Sequence, residues 1–124
     1  MTRNELFLVK EMLPVWQRYA DGFVFYDDSS DDGTYEFLME NREKYNILSV
    51  IRSDRSADKL DVESNNRQKL YDEALKFSGN IVCLDTDEYI DGLLNKAQLE
   101  ELMEKNKDTL FHSYWIQYTS KNEY

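Results

Sequence analysis

This sequence predicts an α/β domain built on a mostly parallel sheet, and three observations carry that prediction. Short apolar runs at 23–26, 47–51 and 81–84 alternate with longer stretches of helical periodicity. Polar or acidic turns follow these runs, at the strand ends where open α/β sheets gather their ligand-binding loops. The 124 residues suffice for one sizeable core and not for two, so residues 1–124 are predicted to form a single domain.

The elements follow in chain order. Thr2-Arg3-Asn4-Glu5 has the Thr-x-x-Glu form of a capping box. It opens a helical stretch in which Leu6, Val9, Leu13, Trp16 and Tyr19 recur at three- and four-residue spacing. Pro14 inside it predicts a kink or break. Asp21-Gly22 ends the helix, and Phe23-Val24-Phe25-Tyr26 is a short strand. Asp27 to Gly33 is an acidic turn, with Thr34 the predicted N-cap of a helix reaching Lys44. Residues 47–51 form a second strand, 52–61 a polar loop and 62–77 a helix. Ile81 to Leu84 is predicted to be a buried strand, with Cys83 acting as a small apolar residue within it. A second acidic turn at 85–92, an amphipathic helix at 96–105 and a stretch of strand character at 109–118 complete the chain. No repeat, low-complexity tract or linker interrupts this order.

Composition removes several classes of function. A formal net charge of −10 opposes general nucleic-acid binding, which needs clustered Lys and Arg to neutralise phosphates. No run approaches the roughly 18 apolar residues of a membrane span. The opening residues lack the basic-then-apolar order of a signal peptide. One cysteine, Cys83, cannot build a disulfide framework. Together these predict a cytoplasmic protein. An acidic protein that handles an anionic substrate must invert its field locally, and a bound dication does so.

Two turns concentrate the acids: Asp27-Asp28-Ser29-Ser30-Asp31-Asp32-Gly33-Thr34 and Asp85-Thr86-Asp87-Glu88. Carboxylates crowded at strand ends repel one another unless a cation or donor groups compensate. Mg²⁺ or Mn²⁺ suits such a site, taking one or two carboxylates and completing its shell with water and phosphate oxygens. If the strand's alternation persists, Asp85 and Asp87 point one way and Thr86 the other. Asp, Ser and Gly also build turns and cap helices. The combination in this order, after apolar strands, is what points to a site.

The same residues resemble the motifs of family 2 glycosyltransferases with the GT-A fold. Asp27 to Thr34 is similar to their Asp-Asp-Gly-Ser-x-Asp-Gly-Thr turn, and Asn4-Glu5 to the Asn-Glu opening their first helix. Asn66-Arg67, seven residues before Ala74, resembles their Ala-Arg-Asn helix start, with Gln68 where an asparagine is usual. Leu84-Asp85-Thr86-Asp87-Glu88 is similar to their Leu-Asp-Ala-Asp-Glu. The likeness spans residues 3–92. It implies a Rossmann-like αβα sandwich that binds a nucleotide diphosphate sugar, with UDP-sugars favoured, and transfers the sugar to an acceptor hydroxyl with inversion. Residue by residue, Asp27 and Asp28 would contact the donor, with Asp28 at its base. Arg67 would lie near the base or diphosphate, Asp85 would face the ribose or sugar, and Asp87 with Asp85 would hold Mn²⁺ or Mg²⁺. The chain departs from the family at Ser29, where glycine is usual and which fits if its φ stays negative. It also lacks the strand before Asn-Glu and the acceptor-binding half. The implied sandwich is therefore incomplete at both ends, with a rearranged sheet or a strand borrowed from a second copy in a homodimer.

Rival readings fit less of the sequence. Asp28-x-Ser30-x-Asp32-Gly33 partly matches a calcium loop, but Met39 stands where its glutamate belongs and a strand precedes it. A haloacid-dehalogenase-like phosphotransferase wants Thr or Val where Tyr89 stands, and places its acidic strand first. A receiver-type signalling domain phosphorylated on Asp85 needs an opening strand and a Lys-Pro, whereas Lys121 precedes Asn122. His112, among Phe111, Tyr114, Trp115 and Tyr118, has no Cys or His partner for zinc. Those aromatics suit core packing or stacking on a sugar. Arg52, Arg55 and Lys59 lie in a loop from which they either reach phosphate or remain solvated.

Overall fold

A computed structural model of the protein describes residues 1–53, 62–88, 90 and 94–106. Its elements are α1 (Leu6–Trp16), β1 (Phe23–Asp27), α2 (Thr34–Glu40), α3 (Arg42–Tyr45), β2 (Ile47–Arg52), α4 (Val62–Ala74) and α5 (Lys96–Lys105). The stretch 109–118, with His112 and its aromatic neighbours, lies outside the described residues, as do Arg55 and Lys59.

The three- and four-residue spacing of α1 buries Val9, Leu13 and Trp16. The helix continues through Pro14 to Trp16, so the predicted break does not occur. Pro14 lies in the last turn, where its missing N–H forgoes one bond to the Lys10 carbonyl. The start of α1 also differs from expectation. Thr2 Oγ1 donates to Glu5 Oε2 at 2.9 Å, so the two side chains bond each other instead of forming a capping box. The caps come from the first acidic turn, more than 25 residues away. Ser30 Oγ accepts from Asn4 N–H, Thr34 Oγ1 from Glu5 N–H and Asp32 Oδ2 from Leu6 N–H. Asn4 Oδ1 in return accepts from Asp31 N–H at 2.9 Å.

Asp32 serves two helices at once, because its Oδ1 accepts the Thr34 N–H at 3.0 Å. Thr34 is therefore the first residue of α2. Gly33 is its N-cap, at φ +92°, a left-handed conformation that disfavours side chains with a Cβ. The single helix expected as far as Lys44 is divided at Asn41, whose Nδ2 donates back to the Phe37 carbonyl. Burial raises the Asp32 carboxyl pKa, but hydrogen bonds from the Thr34 hydroxyl and from the Leu6 and Thr34 N–H groups outweigh it. The net pKa lies below the usual carboxylate value. A depressed folded-state pKa contributes stability above the unfolded value, and that contribution is lost as pH falls through the folded one. Asp32→Ala is expected to destabilise the domain by about 1–2 kcal/mol at neutral pH. In urea denaturation the difference from wild type should shrink as the pH is lowered below the usual carboxylate range.

β1 and β2 pair in parallel, Phe23 opposite Ile47 and Val24 opposite Ser49. The register shift between those pairs leaves Leu48 unpaired, which lets Ile47 and Val50, three residues apart, join the same core. That core gathers α1, α2 and α3 on the face carrying Phe23 and Phe25. Tyr26, on the opposite face by alternation, donates to Asn66 Oδ1 of α4 at 2.6 Å. Both groups are buried, so helices cover the two faces of β1. The sheet edge away from β2 is met by Thr2, whose N–H donates to the Tyr26 carbonyl and whose carbonyl accepts from Asp28 N–H. The protein is thus a small α/β domain with a parallel pair of strands and one further bridge among the described residues.

The expected buried strand at 81–84 does not form. Ile81 and Leu84 are half-buried, whereas Val82 and Cys83 are exposed. Just beyond this stretch, Thr86 Oγ1 donates to the Met1 carbonyl at 3.0 Å, and Thr2 makes a single bridge, to Asp27. α5 keeps its predicted bounds under a reciprocal cap: Asn95 Oδ1 accepts from Gln98 N–H and Gln98 Oε1 from Asn95 N–H. Lys96 pairs with Asp21 and ties this helix to the connection after α1. Among the described residues, no helix is long and apolar enough to cross a membrane.

Candidate functional site

An open cleft of about 320 Å³ lies where the C-terminal end of β1, the middle of α4 and the second acidic turn converge. Asp28, Arg67, Asp85 and Asp87 all line it, although they come from three separate stretches of chain. Thr2, Arg3, Glu5 and Thr86 complete much of its wall.

Asp28 leaves β1 with its carboxylate fixed by Ser53, whose Oγ donates to Oδ1 at 2.8 Å. Ser53 lies just beyond β2, so the parallel pairing of the strands sets the position of Asp28. Ser29 follows at φ +55°, not the negative φ expected of a residue replacing glycine. Its hydroxyl donates to the Ser53 carbonyl at 2.7 Å, which offsets part of the strain of a left-handed serine.

Asp27, expected to contact the donor, does not line the cleft. It is fully buried, accepts from Ser30 N–H at 3.2 Å and faces Arg52 Nε at 3.5 Å. Its Oδ1 has no hydrogen-bond partner among the described residues. Arg52, weighed as a phosphate ligand, is occupied elsewhere. It donates to the Ser30 carbonyl at 2.8 Å, lies 3.5 Å from Glu36 and covers the Tyr35 ring at 4.4 Å. A sequence signal for this pairing existed: Asp27 and Arg52 close two parallel strands at matching positions.

Arg67 follows Asn66 on α4, and the buried Tyr26–Asn66 bond anchors that turn of helix against β1. Burial raises the Tyr26 pKa, the Asp28 charge adds to this, and a hydrogen bond with Ser53 opposes it. The phenol therefore stays protonated through the neutral range and keeps donating to Asn66. Arg67 Nη2 reaches Asp85 Oδ2 at 3.2 Å, with both side chains about half exposed.

Asp85 to Glu88 forms a turn instead of an extended strand end. Glu88 N–H donates to the Asp85 carbonyl at 3.0 Å, and Glu88 Oε2 accepts from Asp85 N–H at 2.8 Å. Trp16 Nε1 donates to the Glu88 carbonyl at 2.8 Å, while Thr86 is buried against Met1. The turn, and not strand alternation, brings Asp85 and Asp87 to one cleft. Glu88 acts within it as a cap.

Among the described lining residues, Glu5, Asp28, Asp85 and Asp87 share the cleft with the guanidinium groups of Arg3 and Arg67 and with the Met1 amino group, whose burial lowers its pKa against the opposing pull of Asp85. The cleft is acidic with a basic side. No group of three or more His, Cys, Asp or Glu suited to an ion occurs among the described residues. The donor set at the turn is two carboxylates without thiolate or imidazole. That chemistry fits a hard cation completing its shell with phosphate oxygens and water. Sequence reasoning missed Ser53 and Arg3, and took Glu5 for a helix cap. Comparison with family models, with curated proteins and with solved structures finds no match.

Proposed function

We propose that this domain binds a nucleotide diphosphate sugar through a divalent cation, as the donor-binding part of a glycosyltransferase with a GT-A-like αβα sandwich. One observation carries the reading: four residues singled out from three separate motifs, Asp28, Arg67, Asp85 and Asp87, line one cleft. A pyrophosphate with its cation has charges of both signs, and so does this cleft.

Asp28, held by Ser53, accepts hydrogen bonds from the base, with uridine favoured. Arg67 donates to the diphosphate, a charge-assisted contact of the stronger kind. Asp85 and Asp87 would hold Mn²⁺ or Mg²⁺, which neutralises the charge growing on the departing diphosphate. The transferred sugar passes to an acceptor hydroxyl, and none of these four residues is assigned as the base that deprotonates it.

Calorimetric titration of the protein with UDP-glucose, with and without Mn²⁺, tests this reading. Binding that requires Mn²⁺ is expected. Equal binding without the metal, or no binding to UDP-, GDP- or TDP-sugars in its presence, would overturn it.

A further inference from the structure

The cleft contains an ion pair that the donor-binding reading does not use. Arg67 Nη2 lies 3.2 Å from Asp85 Oδ2, and both groups also line the space assigned to the diphosphate and its cation. A carboxylate oxygen engaged by a guanidinium is a poorer ligand, because the cation must displace one positive charge and approach it closely. The pair is about half exposed, so it is weak enough to open. The backbone holding each partner is fixed independently. Asn66, beside Arg67, is anchored by Tyr26, and the Asp85 turn is closed by Glu88 and tied to Trp16.

We propose that Arg67 is an exchangeable latch on Asp85: it occupies the carboxylate in the empty cleft and transfers to the diphosphate when a dication takes its place. The proposal rests on the donor-binding reading and adds an order to it. Free cation meets a competitor at Asp85, whereas cation arriving with a diphosphate supplies the anion that draws Arg67 away. Cation and nucleotide therefore bind with positive coupling, and Arg67 carries that coupling. A residue that merely stabilised the fold would weaken both ligands together. A latch affects them in opposite directions.

The test uses Mn²⁺ alone and then UDP at saturating Mn²⁺, measured on wild type, Arg67→Gln and Arg67→Lys. Electron paramagnetic resonance counts free Mn²⁺, and calorimetry measures UDP. Arg67→Gln is expected to bind Mn²⁺ more tightly by up to about fivefold, the range of an exposed ion pair removed. The same variant should bind UDP about tenfold more weakly, from loss of a charge-assisted contact. Arg67→Lys should lie between the two. Arg67 is half exposed, and an unchanged melting temperature confirms that the variants remain folded. Unchanged or weakened Mn²⁺ affinity in Arg67→Gln refutes the latch while leaving metal-dependent donor binding in place. Absence of UDP binding at saturating Mn²⁺ in both wild type and Arg67→Gln refutes the latch and the donor-binding reading together.

Discussion

Arg52→Met is expected to lower the stability of the domain by about 3 kcal/mol, the scale of stranding a buried charge without its partner. Asp27 is fully buried, and its Oδ1 already has no hydrogen-bond partner among the described residues. Removing the guanidinium leaves its Oδ2 with the Ser30 N–H. The same substitution releases the Ser30 carbonyl, which Arg52 Nη2 holds at 2.8 Å, and so loosens the turn that caps α1. Arg52 is itself 40% exposed, which keeps the effect at the lower end of the range for buried pairs. Urea denaturation measures the loss. The double variant Asp27→Asn/Arg52→Met should recover much of it, because the stranded charge is gone. A single variant within about 1 kcal/mol of wild type contradicts this account of Asp27.

Asp87→Ala is the second large effect, and it falls on binding instead of stability. Asp87 is exposed and lines the cleft, so its loss should leave the melting temperature almost unchanged. Losing one of two carboxylates offered to a dication removes a charge-assisted contact worth about 1.5–3 kcal/mol. The Mn²⁺-dependent affinity for UDP should therefore fall by about 10- to 100-fold. Asp85→Asn is expected to differ, because Asp85 also engages Arg67. It weakens the cation site and removes the competing pair in one change, so its net effect on Mn²⁺ should be smaller than that of Asp87→Ala. Equal UDP affinity in wild type and Asp87→Ala removes this residue from the cation site.

Apolar runs marked both observed strands, and amphipathic spacing the bounds of α5. Such spacing also marked Val9, Leu13 and Trp16 as one face of α1. Features made by distant partners left no such pattern. Thr2 and Glu5 carry the letters of a capping box, yet Asp32 and Thr34 supply the caps across the fold. The apolar run at 81–84 reads as a strand, but strand formation also requires a neighbour offering a ladder. At the cleft, crowding of carboxylates marked Asp85 and Asp87, and the resemblance to family 2 glycosyltransferases added Asp28 and Arg67; all four line it. Type alone did not separate Asp27 from Asp28. The alternation of β1 does, directing one into the core and leaving the next at the cleft. The left-handed Ser29 was illegible because its hydroxyl bonds to Ser53, a residue 24 positions away.

In the proposed site, Asp85 and Asp87 hold a dication in the cleft shared with Asp28 and Arg67. Paramagnetic broadening of backbone amide resonances by Mn²⁺, with Mg²⁺ as the diamagnetic reference, reads it most directly. Substoichiometric Mn²⁺ is expected to broaden the amides of Asp85, Thr86 and Asp87 first and those of Asp28 and Arg67 next, more strongly once UDP is added. Broadening centred elsewhere on the domain, or spread evenly over its acidic surface, would contradict it.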